Sequence, residues 1–224
     1  MTKDVTSLDI LIEMRNAVGK MTKLEAKKMA CLVNETASSW LLAAILSQIH
    51  NGALKVYYFG DDIHYSHATQ NYSKILCTEN WEVLDVESLL AKNKALLLSQ
   101  MREMMLQTHA SEYTKMLEVT KYISEANPDV AILIYGCHDS TRLEIQELDY
   151  TSSAYGLEVR LPFMDVRIFQ MIKRKTEPKY GNTMSTEELF TELLENFEAK
   201  HDDSDCGALP AANTLHDQSA YTTD

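Results

Sequence analysis

Short apolar runs alternate with amphipathic stretches along this chain of 224 residues, and that alternation constrains the fold more than any other feature. The runs with the length of buried strands are 29–33, 54–59, 81–84 and 129–136. The stretches with apolar residues at helical spacing are 8–18 behind a Ser7 cap, 40–49, 67–76 and 86–126. Because parallel strands need crossover helices, we predict an α/β fold with a parallel sheet and helices on both faces.

The acidic composition argues against a nucleic-acid partner. The formal net charge is −12, and the acidic excess lies in 187–198 and 202–224. Proteins that bind nucleic acid carry clustered Lys and Arg instead. No apolar stretch approaches the length of a membrane span, so we expect no membrane partner either.

The cysteines show no C-x-x-C spacing, which disfavours a zinc site built from cysteine. Cys31 and Cys137 lie inside apolar runs, as buried reduced thiols do. We therefore expect a cytoplasmic location or another reducing intracellular compartment.

The ends of three predicted strands carry a candidate ligand site. Ligands bind at the carboxyl ends of parallel strands, which places 34–39, 60–62 and 136–139 along one rim. The segment 34–39 is a turn that leads into a helix, and a helix N-terminus attracts phosphate. Ser38 and Ser39 open that helix, where they either contact an anion or only cap the helix.

The segment "DYTSSAYGLEVRLPFMD" at 149–165 resembles a stretch in the synthetase domain of asparagine synthetases that reads D-x-x-S/T-x-A-H-G-L-E-x-R-x-P-F-L-D. Further segments are similar to that domain and extend the resemblance over about residues 8–176. "ACLVNETASSWLLAAIL" aligns with its S-G-G-x-D-S-S pyrophosphate loop, and "VAILIYGCHDS" aligns with the strand that leads into G-E-G-S-D-E. The matching positions in the first segment are Asp149, Ala154, Gly156, Leu157, Glu158, Arg160, Pro162, Phe163 and Asp165.

This resemblance implies a fold of the adenine-nucleotide hydrolase-like, ATP pyrophosphatase type. In that family ATP adenylates the side-chain carboxylate of aspartate, pyrophosphate leaves, and ammonia from a separate glutaminase domain attacks the adenylate. The resemblance assigns Ser38, Ser39, Gly60 and Gly136 to a remnant nucleotide site. We expect no glutamine hydrolysis by this chain, because its first residues include no cysteine nucleophile.

The positions that the family uses for chemistry have changed in this chain. Asn34 and Glu35 stand where the loop has glycines, and Ala37 replaces the loop aspartate that helps to hold Mg²⁺. Cys137 replaces the glutamate of the acidic motif. We therefore assign no catalytic residue, no metal ligand and no cofactor. We expect ATP and Mg²⁺ as cofactors only if the chain is an active ligase.

The matched segment 149–165 keeps residue types that serve architecture. Asp165 is placed to cap a helix that begins at Val166, and Glu158 pairs with Arg160 or with neighbours. We assign structural roles, namely a pairing network, a kinked corner and this cap, to five residues of the segment. They are Asp149, Glu158, Arg160, Pro162 and Asp165.

Three other patterns have both a chemical and a structural interpretation. His64 and His67 have the spacing of two metal ligands on one helix, but no third ligand is marked, and a chance match is favoured. The run Cys-His-Asp at 137–139 is a nucleophilic triad or a remnant loop, and the loop is favoured because sequence neighbours usually point apart. The methionines at 101–107 are interpreted as core residues rather than a cofactor contact.

Two functions stay open. We prefer a non-catalytic member of the asparagine synthetase family that acts as a binding or assembly subunit. The alternative is an ATP-dependent ligase that forms an amide from aspartate or a related carboxylate and ammonia. We divide the chain into a reduced synthetase-like domain at 1–176, an amphipathic helix at 177–198 and a disordered acidic tail at 199–224.

The predicted partner is another protein or a second copy of this chain. The family covers the rim with segments that are short or absent here, so we expect an exposed apolar patch near the rim. The alternative is that an amphipathic helix at 186–197 folds back over the gap. Some of the aromatic residues near the rim should be left exposed in this patch, and the candidates are Tyr57, Tyr58, Tyr135, Tyr150, Tyr155 and Phe163.

Overall fold

The computed structural model describes residues 5–23, 28–50, 54–59, 81–84, 86, 89, 110–136, 142–177 and 184–199. Several predicted features lie outside these residues and stay predictions. They are the helix at 67–76, the run at 101–107, the tail from 200 onward, and the residues Gly60, His64, His67, Cys137, His138 and Asp139.

The described strands form one parallel sheet, which confirms the predicted fold class. The spatial order is β3-β2-β1-β4-β5, and every neighbouring pair is parallel. Four strands match apolar runs in the sequence. The fifth strand, β5, was not predicted because its first and last residues, Glu158 and Arg160, are charged. The strands are β1 (Met29–Val33), β2 (Lys55–Phe59), β3 (Trp81–Leu84), β4 (Ile132–Tyr135) and β5 (Glu158–Arg160).

Helices cover both faces of this sheet. A 3-10 turn at Pro162–Met164 leads from β5 into α5. The described helices are α1 (Ser7–Met21), α2 (Ala37–Ile49), α3 (Ala110–Ala126), α4 (Arg142–Ser153), α5 (Val166–Thr176) and α6 (Thr186–Ala199).

Alternate residues of the strands supply two separate hydrophobic cores. On one face, side chains such as Cys31 and Tyr58 pack with α1, α2, α5 and α6. On the other face, Leu32 and Leu133 pack with Val119 of α3 and with residues of α4. This division follows from the two-residue period of a strand, which sends successive side chains to opposite faces.

The helix starts follow local capping chemistry, with one correction. The N-cap of α1 is Thr6 rather than the predicted Ser7, because Thr6 and Asp9 form a reciprocal capping box. The cap predicted at Asp165 is confirmed, since its carboxylate accepts a hydrogen bond from the Arg167 N–H at 2.9 Å.

The strand order places a topological switch between β1 and β4. The chain moves outward from β1 through β2 to β3, and β4 then lies on the opposite side of β1. In open α/β sheets the ligand crevice opens at such a point, outside the carboxyl ends of the two central strands. The turn at 34–36 and Gly136 follow those two strand ends directly. Among the described residues, no helix is long and apolar enough to cross a membrane.

Candidate functional site

The turn between β1 and α2 is closed by its own side chains. Asn34 Oδ1 accepts hydrogen bonds from the Thr36 N–H at 3.2 Å and from Thr36 Oγ1 at 2.7 Å. Ser39 Oγ accepts from the Asn34 N–H at 3.1 Å and lies 2.9 Å from the Thr36 carbonyl oxygen. An asparagine can order a turn in this way because its amide oxygen takes the place of a backbone acceptor.

Ser38 and Ser39 are buried inside the first turn of α2 and do not cap it. Their relative exposures are 1% and 0%. The N-cap is Thr36, whose side chain makes no cap hydrogen bond, and Ser38 Oγ lies 3.1 Å from Thr36 Oγ1. The predicted capping role is therefore wrong. The physical reason is that α2 begins at Ala37, so both serines fall within the helix rather than before it.

The end of β4 presses against the start of α2 at Gly136. A Cβ atom added to Gly136 would lie 2.7 Å from Ser39 Cα and 2.8 Å from the Ser38 carbonyl oxygen. Beside this contact, Asn34 Nδ2 donates to the Tyr135 hydroxyl at 2.9 Å. These two contacts join the ends of β1 and β4 directly at the switch point.

A carboxylate from α6 occupies the N-terminus of α2. The Ala37 N–H, which has no partner within its own helix, donates to Glu187 Oε1 at 3.2 Å. The negative charge of Glu187 also lies at the positive end of the α2 dipole, where a phosphate would bind. Sequence reasoning missed this contact, because nothing in the pattern connects two residues 150 positions apart.

This turn carries one carboxylate, that of Glu35. Glu35 is exposed at the turn and adds negative charge there, and Ala37 has no ligand atom. Within the described part of the chain, no group of three His, Cys, Asp or Glu residues is placed to hold a metal ion.

The segment that carries the resemblance links β5 to α1 and α5. Arg160 Nε donates to Glu158 Oε1 at 2.8 Å, and Arg160 Nη1 bonds to the Met21 carbonyl at the end of α1. Pro162 is buried and begins the 3-10 turn. Asp149 is exposed on α4, and its structural role stays a prediction.

The capping interaction at the start of α5 lowers the pKa of Asp165. The Arg167 N–H that donates to Asp165 holds the pKa of this carboxyl below its usual value, with a further contribution from the Arg167 side chain. Arg167 also lies 3.7 Å from Glu13 of α1, so the cap sits at the α1–α5 interface. These contacts are structural ones, as the sequence predicted for Asp165.

The six aromatic residues expected near the rim differ in exposure, and three of them are corrections to that expectation. Tyr57, Tyr58 and Phe163 are fully buried, whereas Tyr150 is 69% exposed. Tyr135 and Tyr155 are half-buried. The alternative interpretation, that the amphipathic helix folds back over this region, is confirmed at Phe163. Helix α6 packs onto the same core, and its Phe190 ring lies 5.7 Å from the Phe163 ring.

A second polar cluster, which sequence reasoning missed, joins β2, β3 and the end of α3. Lys55 Nζ lies 3.1 Å from Asn127 Oδ1 and 3.5 Å from Glu82 Oε2. The Tyr122 hydroxyl donates to Glu82, which raises the pKa of Tyr122 to about 12, and the Asn127 amide donates to the Tyr57 hydroxyl. Because these groups hydrogen bond with one another, the cluster fixes the position of α3 against the sheet.

No protein-family model and no curated protein matches this chain.

Proposed function

We propose that this chain is a non-catalytic protein of the asparagine synthetase type that acts as a binding or assembly subunit. One observation carries the proposal: the turn between β1 and α2 is ordered by its own side chains, and the end of β4 packs directly against it. Gly136 contacts the first turn of α2, and the turn side chains hydrogen bond with one another.

A nucleotide-dependent ligase needs the opposite arrangement at this place. Pyrophosphate is held by free backbone amides of a glycine-rich turn, and stabilisation of its negative charge supplies a large share of the rate. Here Asn34, Glu35 and Ala37 replace the residues that would approach the phosphates and the metal ion. The buried serines are already engaged with their neighbours. These features support loss of catalysis rather than altered specificity.

The exchange of labelled pyrophosphate into ATP tests the proposal. The full chain with Mg²⁺, ATP and aspartate should show no exchange above a heat-treated control, and calorimetry with Mg-ATP should detect no binding. Aspartate-dependent exchange, or asparagine formation from aspartate and ammonia, would contradict the proposal and favour the ligase alternative.

Assembly is the activity that remains for such a subunit. Apolar side chains are exposed on α5, where Val166 and Phe169 have relative exposures of 63% and 44%. These two side chains are the candidate contacts with another protein or a second copy of the chain. Sedimentation velocity of the full chain, alone and in cell extract, should show a species heavier than the monomer. The double variant Val166→Ser, Phe169→Ser should reduce that species if α5 takes part in the interface.

A further inference from the structure

We propose that the chain forms a two-fold dimer in which the basic helix α5 of each copy docks on the acidic helix α6 of the other. This inference rests on the proposed function, because it names a second copy of the chain as the partner of the assembly subunit.

The two helices carry opposite charges. Helix α5 contains four basic residues and no carboxylate between Val166 and Thr176, and three of the four, at 173–175, lie in its last turn. Helix α6 contains five glutamates and no basic residue between Thr186 and Ala199. Because the chain has a formal net charge of −12, two copies repel one another on average, whereas a contact between α5 and α6 brings opposite charges together.

The helix dipoles explain only part of this charge. Cations are favourable in the last turn of a helix and carboxylates in its first turn, which accounts for the basic residues at 173–175 and for Glu187 and Glu188. The effect falls off within one turn, so it does not account for Glu195 in the second half of α6. Glu195 is exposed, and the negative surface of α6 therefore extends beyond the helix start.

The outer face of α5 combines apolar and basic side chains. Val166 and Phe169 are exposed, and Lys173 Nζ lies 5.4 Å from the centre of the Phe169 ring. Lys173 Nζ also lies 3.1 Å from Glu177 Oε1, in an ion pair that water reaches from both sides. Such a pair is weak, so Lys173 can exchange this partner for a carboxylate of another copy at little cost.

The position of the two helices fits an interface that repeats by symmetry. Ile168 and Ile172 of α5 belong to the same hydrophobic core as Leu193 of α6, so both helices cover one face of the sheet, and they contact each other. In a two-fold dimer every contact between two different residues occurs twice. A two-fold axis at the boundary between α5 and α6 places each α5 on the α6 of the other copy, and both contacts are then attractive.

Charge reversal at exposed positions tests this arrangement. The acidic-α5 variant is Gln170→Glu, Lys173→Glu, and the basic-α6 variant is Glu195→Lys, Asn196→Lys. All four wild-type side chains are exposed, and the two variants change the net charge by about three units in opposite directions.

The matched control for the basic-α6 variant is Glu125→Lys, Ala126→Lys. It makes the same change of charge at the exposed end of α3, which covers the opposite face of the sheet. Circular dichroism establishes that each variant is folded.

Sedimentation equilibrium of the purified full chain measures the association. We expect the wild type and the control to dimerise with similar affinity, and each of the two α5 and α6 variants to dimerise at least about tenfold more weakly, because like charges then face each other. An equimolar mixture of these two variants should recover the affinity of the wild type, since both contacts in the mixed dimer again join opposite charges. A chain that carries all four substitutions should recover it for the same reason.

Salt provides a second measurement that needs no variant. Raising the ionic strength from about 0.1 M to about 1 M shortens the Debye length from about 10 Å to about 3 Å, so the wild-type dimer should weaken several-fold.

A wild type that stays monomeric would overturn the inference, as would a dimer that neither salt nor charge reversal weakens. A mixture of the two variants that associates no better than its components would also overturn it. Stronger association of both the basic-α6 variant and the control would show that net charge alone governs the association. Failure of the proposed function is a different result, since it appears as pyrophosphate exchange by the wild type.

Discussion

At the scale of single residues, Gly136 determines how closely β4 approaches α2. The absence of a Cβ atom lets the strand end lie against the backbone of Ser38 and Ser39. Gly136 thus has a packing role in this structure, although the resemblance assigned it to a nucleotide site. Gly19, in the last turns of α1, has open space where a Cβ atom would be added. The two glycines therefore respond differently to the same substitution.

Gly136→Ala should destabilise the protein by about 1–3 kcal/mol, because the new methyl group overlaps the α2 backbone and neither segment can move freely. The control Gly19→Ala should raise stability by about 0.5–1 kcal/mol, since alanine has the higher helix propensity. Urea unfolding followed by circular dichroism measures both changes. A Gly136→Ala protein as stable as the wild type would show that β4 does not press on α2.

Asp165 links the stability of α5 to pH. Asp165→Ala should cost about 0.5–2 kcal/mol near pH 7, the usual effect of losing an N-cap. Because the folded-state pKa of Asp165 is lowered, its contribution is present above the unfolded pKa of about 3.9 and is lost as the pH falls through the lower folded value.

Urea unfolding of the wild type and Asp165→Ala between pH 7 and pH 2.5 measures this dependence. The stability difference between the two proteins should shrink below about pH 4. Asp165→Asn is the control, because asparagine caps a helix without titrating, and its advantage over Asp165→Ala should stay constant. A wild-type advantage that does not change with pH would contradict the assignment.

At the scale of elements, α6 is an integral layer of the domain. Its buried residues belong to the same hydrophobic core as β1, β2 and β4, and the Phe190 ring packs on Phe163 after β5. The periodic spacing of apolar residues predicted the helix, and the confirmed alternative predicted that it folds back. The spacing of apolar residues did not identify the surface that α6 covers, since an amphipathic helix face fits any apolar surface of suitable shape.

Phe190→Ala should destabilise the whole domain by about 3–5 kcal/mol, because it leaves a cavity between α6 and the core. If α6 is integral, unfolding remains a single transition at a lower denaturant concentration. Glu195→Ala on the exposed face should change stability by less than about 0.5 kcal/mol. A separate early transition in Phe190→Ala, with the main transition unmoved, would show that α6 unfolds independently of the sheet.

At the scale of the whole molecule, the central strand β1 is sealed from solvent on both sides. All five of its residues are buried, with one core above the sheet and the other below it. Cys31 lies at the middle of this strand and is fully buried, and burial raises the pKa of its thiol far above the ordinary value. Its reactivity therefore depends on opening of the entire domain.

Cys31 should react with iodoacetamide only as fast as the protein unfolds globally. Peptide mass spectrometry distinguishes Cys31 from the other cysteines, and labelling at pH 8 over a urea series should follow the unfolding transition. The same peptide labels rapidly in the fully denatured chain, which calibrates the intrinsic rate. Rapid labelling of Cys31 without urea would indicate local opening of β1 and contradict the sealed arrangement.

The sequence by itself determined the local elements and the class of fold. The apolar run 29–33 forms a strand, and the run 129–136 contains one at Ile132–Tyr135. The Asp165 cap lies where predicted, because strand burial and capping depend on residues close together in the chain. Local patterning did not reveal β5, whose charged Glu158 and Arg160 occupy a sheet edge.

Only the tertiary structure decided which groups contact one another at the candidate site. The resemblance implied that the glycines and the aspartate of the turn are replaced, but the sequence did not reveal that Gly136 packs against α2 or that Glu187 reaches the Ala37 N–H. The burial of Tyr57, Tyr58 and Phe163 was also decided at this level. The physical reason is that each of these contacts joins elements distant in the chain, and their distances are set by the packing of helices on the sheet rather than by any local preference of the backbone.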